Sequence, residues 1–296
     1  MHDSSPSSEA VPAPSHKRLA FMAAIAGPIL LAFGPWMVRL ADVGPIAAGF
    51  WRLALAAPLL LLALRWNAAA SPVRVPASIW IVMAIGGFFF AADLAAWHSG
   101  IVRTRLANAT LFANITSFTF AIYGFVVARS WPGRNQLAAL VLAVLGTLLL
   151  IGRSYELSPE YFLGDLLCLL AGVFYTFYLV AVDRVRDRLA SLPILTLSTV
   201  TGLLPLLAFA LLIGERVWPQ DFTPLIVLAI SSQVLGQGMI IYAIGHLPPV
   251  VVGLALLSQP VIASVIGWLA HGEMLSLTDW IGAIAIGVAL VLVRRP

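Results

Sequence analysis

IWIVMAIGGFFFAADLAAWHSGI, residues 79–101, is the stretch that decides the fold. It has the roughly 20 apolar residues that carry a helix across a bilayer, and a single acid, Asp93, stands inside it. The chain holds thirteen acids; the other twelve lie in the polar head, in short connections or at the ends of apolar runs. An ionised carboxylate at the bilayer centre costs about 2.5–3.5 kcal/mol on insertion scales. A residue that costly faces a wet cavity or takes part in a mechanism.

The rest of the chain matches this stretch. It is 61% hydrophobic and 10% charged, with a mean hydropathy of +0.98, whereas soluble domains carry about 25% charged residues. Apolar runs of helical length fall at about 19–39, 45–65, 78–101, 106–128, 135–152, 163–183, 193–214, 223–245, 250–270 and 278–294. The expected fold class is therefore an all-α integral membrane protein with ten transmembrane helices. Residues 1–17 read as a disordered cytoplasmic tail, polar and rich in Ser, Pro and Ala.

Basic residues set the expected orientation. With the N-terminus inside, Lys17, Arg18, Arg65, Arg74, Arg129, Arg134, Arg184, Arg186, Arg188, Arg294 and Arg295 fall on the inner side. Only Arg39, Arg103, Arg105, Arg153 and Arg216 fall outside, and Arg52 lies within a span. That bias predicts both termini in the cytoplasm of a multi-pass protein of the inner (plasma) membrane. Trp66, Trp80, Trp131, Trp218 and Trp280 fall near span ends, where aromatic belts form.

The halves echo one another at an offset near 145. Gly27 matches Gly172, Pro58 and Pro205 take similar places, and Trp97 with Gly100 matches Tyr242 with Gly245. Five spans per half is an odd number, so the second copy, residues 154–296, is expected to be inverted relative to the first, residues 18–153.

Several chemistries are excluded. Lys17 is the only lysine, so no P-loop lysine and no Schiff-base lysine is available within the spans. One cysteine, Cys168, allows neither an internal disulfide nor a cysteine metal site, and the histidines at 2, 16, 98, 246 and 271 are scattered. No cofactor, metal, ATP or nucleic acid is expected, and no obligatory protein partner is evident. The expected partners are a small-molecule substrate and the lipid bilayer.

Polar residues inside the spans converge in depth. Asp93, Asn114, Tyr175, Gln233 and Gln259 all fall within about one helical turn of the midplane, as a substrate site between repeats requires. Facing supports the grouping: Thr110, Asn114 and Ser117 share a stripe, as do Gln233 and Gln237, Asp93 and Trp97, and Cys168, Gly172, Tyr175 and Tyr178. The expected substrate-binding set is Asp93, Trp97, His98, Asn114, Tyr175, Tyr178, Gln233, Gln237, Ser258 and Gln259. Plainer roles exist for each. Carboxamides and hydroxyls often serve only as interhelical bonds, Tyr178 is read first as packing, and Asp93 has Arg103, Arg105 or His98 as structural partners within reach. Arg52 is read as fixing helix packing or holding a lipid phosphate rather than touching substrate. Gly27, Pro28, Gly34, Pro35 and Pro260 interrupt spans and are expected to kink them, with hinges for alternating access built on those kinks.

A family pattern carries some of the same residues. In "GPWMVRLADVGPIAAGFWRLALAAPLLL", Pro45 opens a span and Arg52 follows seven residues later. In "LALLSQPVIASVIGWLAHGEMLSLTDWIGAIAIGVALVLV", Pro260 is followed by the Gly272–Glu273 pair and by a last span with Gly282 and Gly287. Both resemble the EamA-type drug/metabolite transporter superfamily, over nearly everything after residue 18. The resemblance implies ten helices in two inverted five-helix repeats and export of small metabolites. Members include amino-acid exporters, among them aromatic-amino-acid and methyl viologen exporters. Two positions depart from the pattern: Arg39 replaces a lysine often found late in the first span, and Ala128–Arg129 stands where Gly-Glu would be in the first half.

The leading expectation is a secondary active exporter of small metabolites, amino acids first and aromatic or apolar ones among them, working by alternating access through a central cavity. A multidrug or organic-cation exporter of the same fold is the alternative. An intramembrane enzyme lacks any Gly-x-Ser-x-Gly or His-Glu-x-x-His motif in the spans, and a channel would show filter motifs or charged rings.

Overall fold

A computed structural model of the chain describes residues 14–68, 75–104, 109, 112–129, 131–151, 159–259, 261–262 and 277–293. Among these residues every regular element is helical, because a backbone in lipid must satisfy its own hydrogen bonds. The elements are α1 (Pro14–Ala32), α2 (Gly34–Leu40), α3 (Pro45–Ala68), α4 (Ala77–Ile101), α5 (Ile115–Ala128), α6 (Arg134–Ile151), α7 (Phe162–Val185) and α8 (Ser191–Ile213). Then come α9 (Thr223–Leu228), a π-helical segment (Ala229–Gln237), α10 (Gly238–Ile244), α11 (Pro249–Leu256) and α12 (Leu277–Val293).

Six helical stretches among the described residues are long and apolar enough to cross a membrane: His16–Leu40, Pro45–Asn67, Ala77–Ile101, Phe162–Val185, Ser191–Ile213 and Thr223–Ile244. Each coincides with one of the ten apolar runs. The other four runs appear as shorter helices: Ile115–Ala128, Arg134–Leu149 and Trp280–Val293, with Pro249–Leu256 as the described part of the ninth. Trp66, Trp80, Trp131, Trp218 and Trp280 are all exposed, as an aromatic belt requires.

Prolines act unequally. Pro28, Pro58 and Pro205 lie inside continuous helices, whereas α1 gives way to α2 at Phe33, immediately before Gly34–Pro35. Of the expected span-one interruptions, only this second pair coincides with a break. Pro260 lies outside the described residues, as do Thr110, Arg105, Gly272 and Glu273.

The packing is symmetric under exchange of the halves. Helix α4 packs on α7, and in the other half the π-helical segment and α10 pack on α1. Likewise α4 contacts α8 while α3 contacts the π-helical segment. Three pairs map onto themselves: α3 with α8, α5 with α11, and α6 with α12. Contact between α1 and the π-helical segment is backbone to backbone, since a Cβ on Gly27 would stand 2.9 Å from the Gly236 carbonyl oxygen.

Helix α7 ties the two ends of the bundle together. At one end Thr104 donates to Asp165, and at the other, about 27 Å along the helix, Tyr123 donates to Asp183 at 2.9 Å. The first face also carries the loop 214–222, which is bound to the entry of α3. Ala47 N–H donates to Glu215 at 2.9 Å, Gly44 N–H to the Arg216 carbonyl at 3.0 Å, and Trp51 Nε1–H to the Val217 carbonyl at 2.7 Å. Burial raises the Glu215 pKa above its usual value, and the Ala47 and Ile46 N–H groups and Arg103 oppose that shift.

Candidate functional site: a buried charge and carboxamide cluster

Seven residues into α3, the Arg52 side chain points into the bundle and is 2% exposed. Its Nε donates to Gln233 Oε1 at 3.0 Å, and Gln233 Nε2 donates to Thr199 Oγ1 at 2.9 Å. The guanidinium carbon stands 5.9 Å from the centre of the Phe90 ring. One turn along α4 from Phe90 is Asp93, itself buried. A guanidinium or a carboxylate buried alone in a low dielectric carries a penalty of several kcal/mol.

A second chain of bonds lies against the first. Tyr175 Oη donates to Gln237 Oε1 at 3.1 Å, Gln237 Nε2 donates to Tyr178 Oη at 3.3 Å, and Tyr178 Oη lies 3.3 Å from Ser198 Oγ. Phe90 stacks on Tyr178 at 4.5 Å and lies 6.5 Å from Tyr175, so one ring joins both chains. Gln233 and Gln237 both come from the π-helical segment. A π-turn takes more than four residues, so these two side chains, four apart, point almost the same way. π-Helical turns inside α-helices are frequent at functional sites.

Of the expected site residues, Asp93, Tyr175, Tyr178, Gln233 and Gln237 meet here. Trp97 and His98 extend the group toward the face bearing Arg39. His98 is fully buried with its Nδ1 3.0 Å from the Pro45 carbonyl, so Nδ1 carries the proton and Nε2 is left as an acceptor. Neither that Nε2 nor the buried Trp97 indole N–H has a partner among the described residues. Asn114 is buried at the entry to α5, where Thr116 Oγ1 donates to the Gly172 carbonyl at 2.7 Å and so seats this turn on α7. Ser258 donates to the Ala255 carbonyl three residues back at 2.8 Å, and Gln259 is half-buried; neither is bonded into the cluster among the described residues.

Three readings change. Arg52 is not at a lipid phosphate, because it is sealed inside the bundle. Arg103, one of the partners expected for Asp93, turns back instead to the Ser99 carbonyl at 2.8 Å. Tyr178 does more than pack, being bonded as well as stacked. Phe90, Thr199 and Ser198 were not singled out in the sequence; nothing in an apolar span distinguishes one phenylalanine or threonine until neighbouring helices are placed. Arg52 did carry a signal, as the one basic residue within a span.

The sequence profile of the EamA-like transporter family matches residues 18–152 and 162–295. An "Uncharacterized transporter" of Archaeoglobus fulgidus is 22% identical over 254 residues, covering 83% of this chain and 86% of that protein. A protein solved by crystallography superposes with a TM-score of 0.72 at 21% identity, covering 94% of this chain and 97% of the other. The likeness is in the fold.

Proposed function

This chain belongs to the EamA-like transporter family, and we propose that it exports amino acids by alternating access, holding them at the Arg52–Asp93 cluster. One observation carries the reading: Arg52 and Asp93 are both buried in one cluster with Gln233, and an aromatic wall of Phe90, Tyr175 and Tyr178 adjoins them. An amino-acid zwitterion has the complementary pair, its carboxylate for Arg52 and its ammonium for Asp93. The tyrosines and Trp97 suit an apolar or aromatic side chain. The Trp97 indole N–H and His98 Nε2 offer one donor and one acceptor beside it.

An organic cation fits less well, because the Arg52 charge would oppose it at the carboxylate that should attract it. Symmetric packing and the odd number of apolar runs per half support ten crossings in two inverted repeats, 18–153 and 154–296, with both termini cytoplasmic in the inner membrane. Without a P-loop lysine, uphill transport draws on an ion gradient or on exchange.

The test is counterflow in proteoliposomes with a panel of radiolabelled amino acids, each beside its decarboxylated amine. Saturable counterflow of the amino acids, with the amines at least about tenfold poorer for want of a charged hydrogen bond, is expected. Equal or better transport of the amines would defeat the zwitterion reading in favour of an organic-cation carrier.

A further inference from the structure

One contact is made twice, once in each half and at opposite faces of the bundle. Arg39 Nη2 donates to the Ile101 carbonyl at 3.0 Å, and Arg186 Nη1 donates to the Ile244 carbonyl at 2.7 Å. Ile101 is the last residue of α4, and Ile244 is the last residue of α10. Arg39 stands in the final turn of α2, and Arg186 directly follows α7. Each arginine thus ends the first long helical stretch of its half and covers the C-terminus of the third. A helix C-terminus has carbonyls with no intrahelical donor and the negative end of the dipole, so a guanidinium is favoured there.

The two copies are unequally made. Arg186 also donates to the Leu247 carbonyl at 3.0 Å and pairs with Asp183 at 3.2 Å, and Asp183 in turn accepts from Tyr123. That set ties together α5, α7 and the end of α10. Arg39 is exposed, makes one bond among the described residues, to Ile101, and borders a cleft of about 340 Å³ with Val38, Ala41, Val43, Pro45 and Val102. The capped helices are also the ones that bear the cluster. Asp93 lies about two turns below Ile101, and α10 continues the π-helical segment of Gln233 and Gln237.

We propose that Arg39 and Arg186 are paired positioning residues for access to the cluster. Each holds one face closed by fastening the third helix of its half to the first, and each must let go for that face to open. Among the described residues, the structure has Arg186 fastened by two carbonyls and an ion pair, and Arg39 by one carbonyl beside its cleft. This inference rests on the reading of the chain as an alternating-access carrier, but on no particular substrate.

The test reports on access without substrate. In a Cys168→Ala background, a single reporter is placed at Ser232→Cys, fully buried beside Gln233. Its rate of modification by a membrane-impermeant maleimide is then measured in vesicles exposing either face. Arg186→Ala should raise the rate from the Arg186 face about tenfold and lower it from the Arg39 face, the factor expected on losing a hydrogen bond to a charged group. Arg39→Ala should do the reverse. Arg39→Lys and Arg186→Lys keep the charge and a donor, and should stay within about threefold of the parent. Asp183→Asn, which loosens Arg186 without removing it, should move the rates in the direction of Arg186→Ala and carries the test if that variant does not fold. Shifts in the same direction for both alanine variants, or none in either, overturn the proposal. Failure of amino-acid counterflow leaves the proposal standing, and these rates say nothing of substrate.

Discussion

Arg52 and Asp93 are both buried in one cluster of a span-rich chain, where opposite charges would stabilise one another. Removing one alone, as in Arg52→Gln, should cost about 3–5 kcal/mol and lower the thermal midpoint in detergent. The double variant Arg52→Gln/Asp93→Asn should recover part of that loss, because no lone charge is left buried; purely additive losses would show that the two charges do not interact. In transport, Asp93→Asn should weaken apparent affinity and reduce downhill exchange and uphill accumulation together, as expected of a group that holds the substrate ammonium. Loss of accumulation with exchange intact would instead make Asp93 the proton-coupling group, and full retention of both would leave it as packing. A residue's depth was legible in the sequence, which is why Asp93, Tyr175 and Gln233 were grouped. The direction in which a side chain points around its helix was not, so Arg52 was set apart from residues it touches.

At the level of elements, apolar length marked where the spans run, because hydropathy is a local property. Geometry within them was less visible. Pro28 and Pro35 look alike in sequence, yet the helix breaks only before the second, where Phe33 leaves the helical pattern. The π-helical turns of residues 229–237 leave no compositional mark; they arise where Gly27 and Gly236 bring two backbones together. Gly27→Ala puts a methyl within 2.9 Å of a carbonyl oxygen, so it should cost about 1–3 kcal/mol and slow transport more than it changes affinity. Unchanged turnover would argue against a role for this contact in the cycle. The loop at 214–222 gives a pH signature. Glu215 binds its proton more tightly folded than unfolded, so its contribution to stability is present below about 4.5 and lost as pH rises through the folded value. Glu215→Gln keeps an acceptor for Ala47 N–H and should lack that component when thermal midpoints are compared across pH.

At the scale of the molecule, the repeat was legible as a few matched glycines and prolines, and it returns as a packing scheme in which three helix pairs map onto themselves. Orientation is testable directly. Cysteine placed in the connection 154–160 should be labelled by an impermeant reagent on intact cells, and cysteine at 186–188 should not; the reverse would invert the topology. The buried Cys168 is expected to stay silent in both.

The meeting of Gly27 with the Gly236 carbonyl also has a kinetic consequence. Ordinary helix pairs interlock like gear teeth, ridge in groove, and one can shift past the other only by climbing over side chains. Where two backbones meet at glycines the teeth are fewer, with Ile240 and Leu31 flanking the joint on either side. A small displacement there has fewer side chains to climb over than at an ordinary helix crossing.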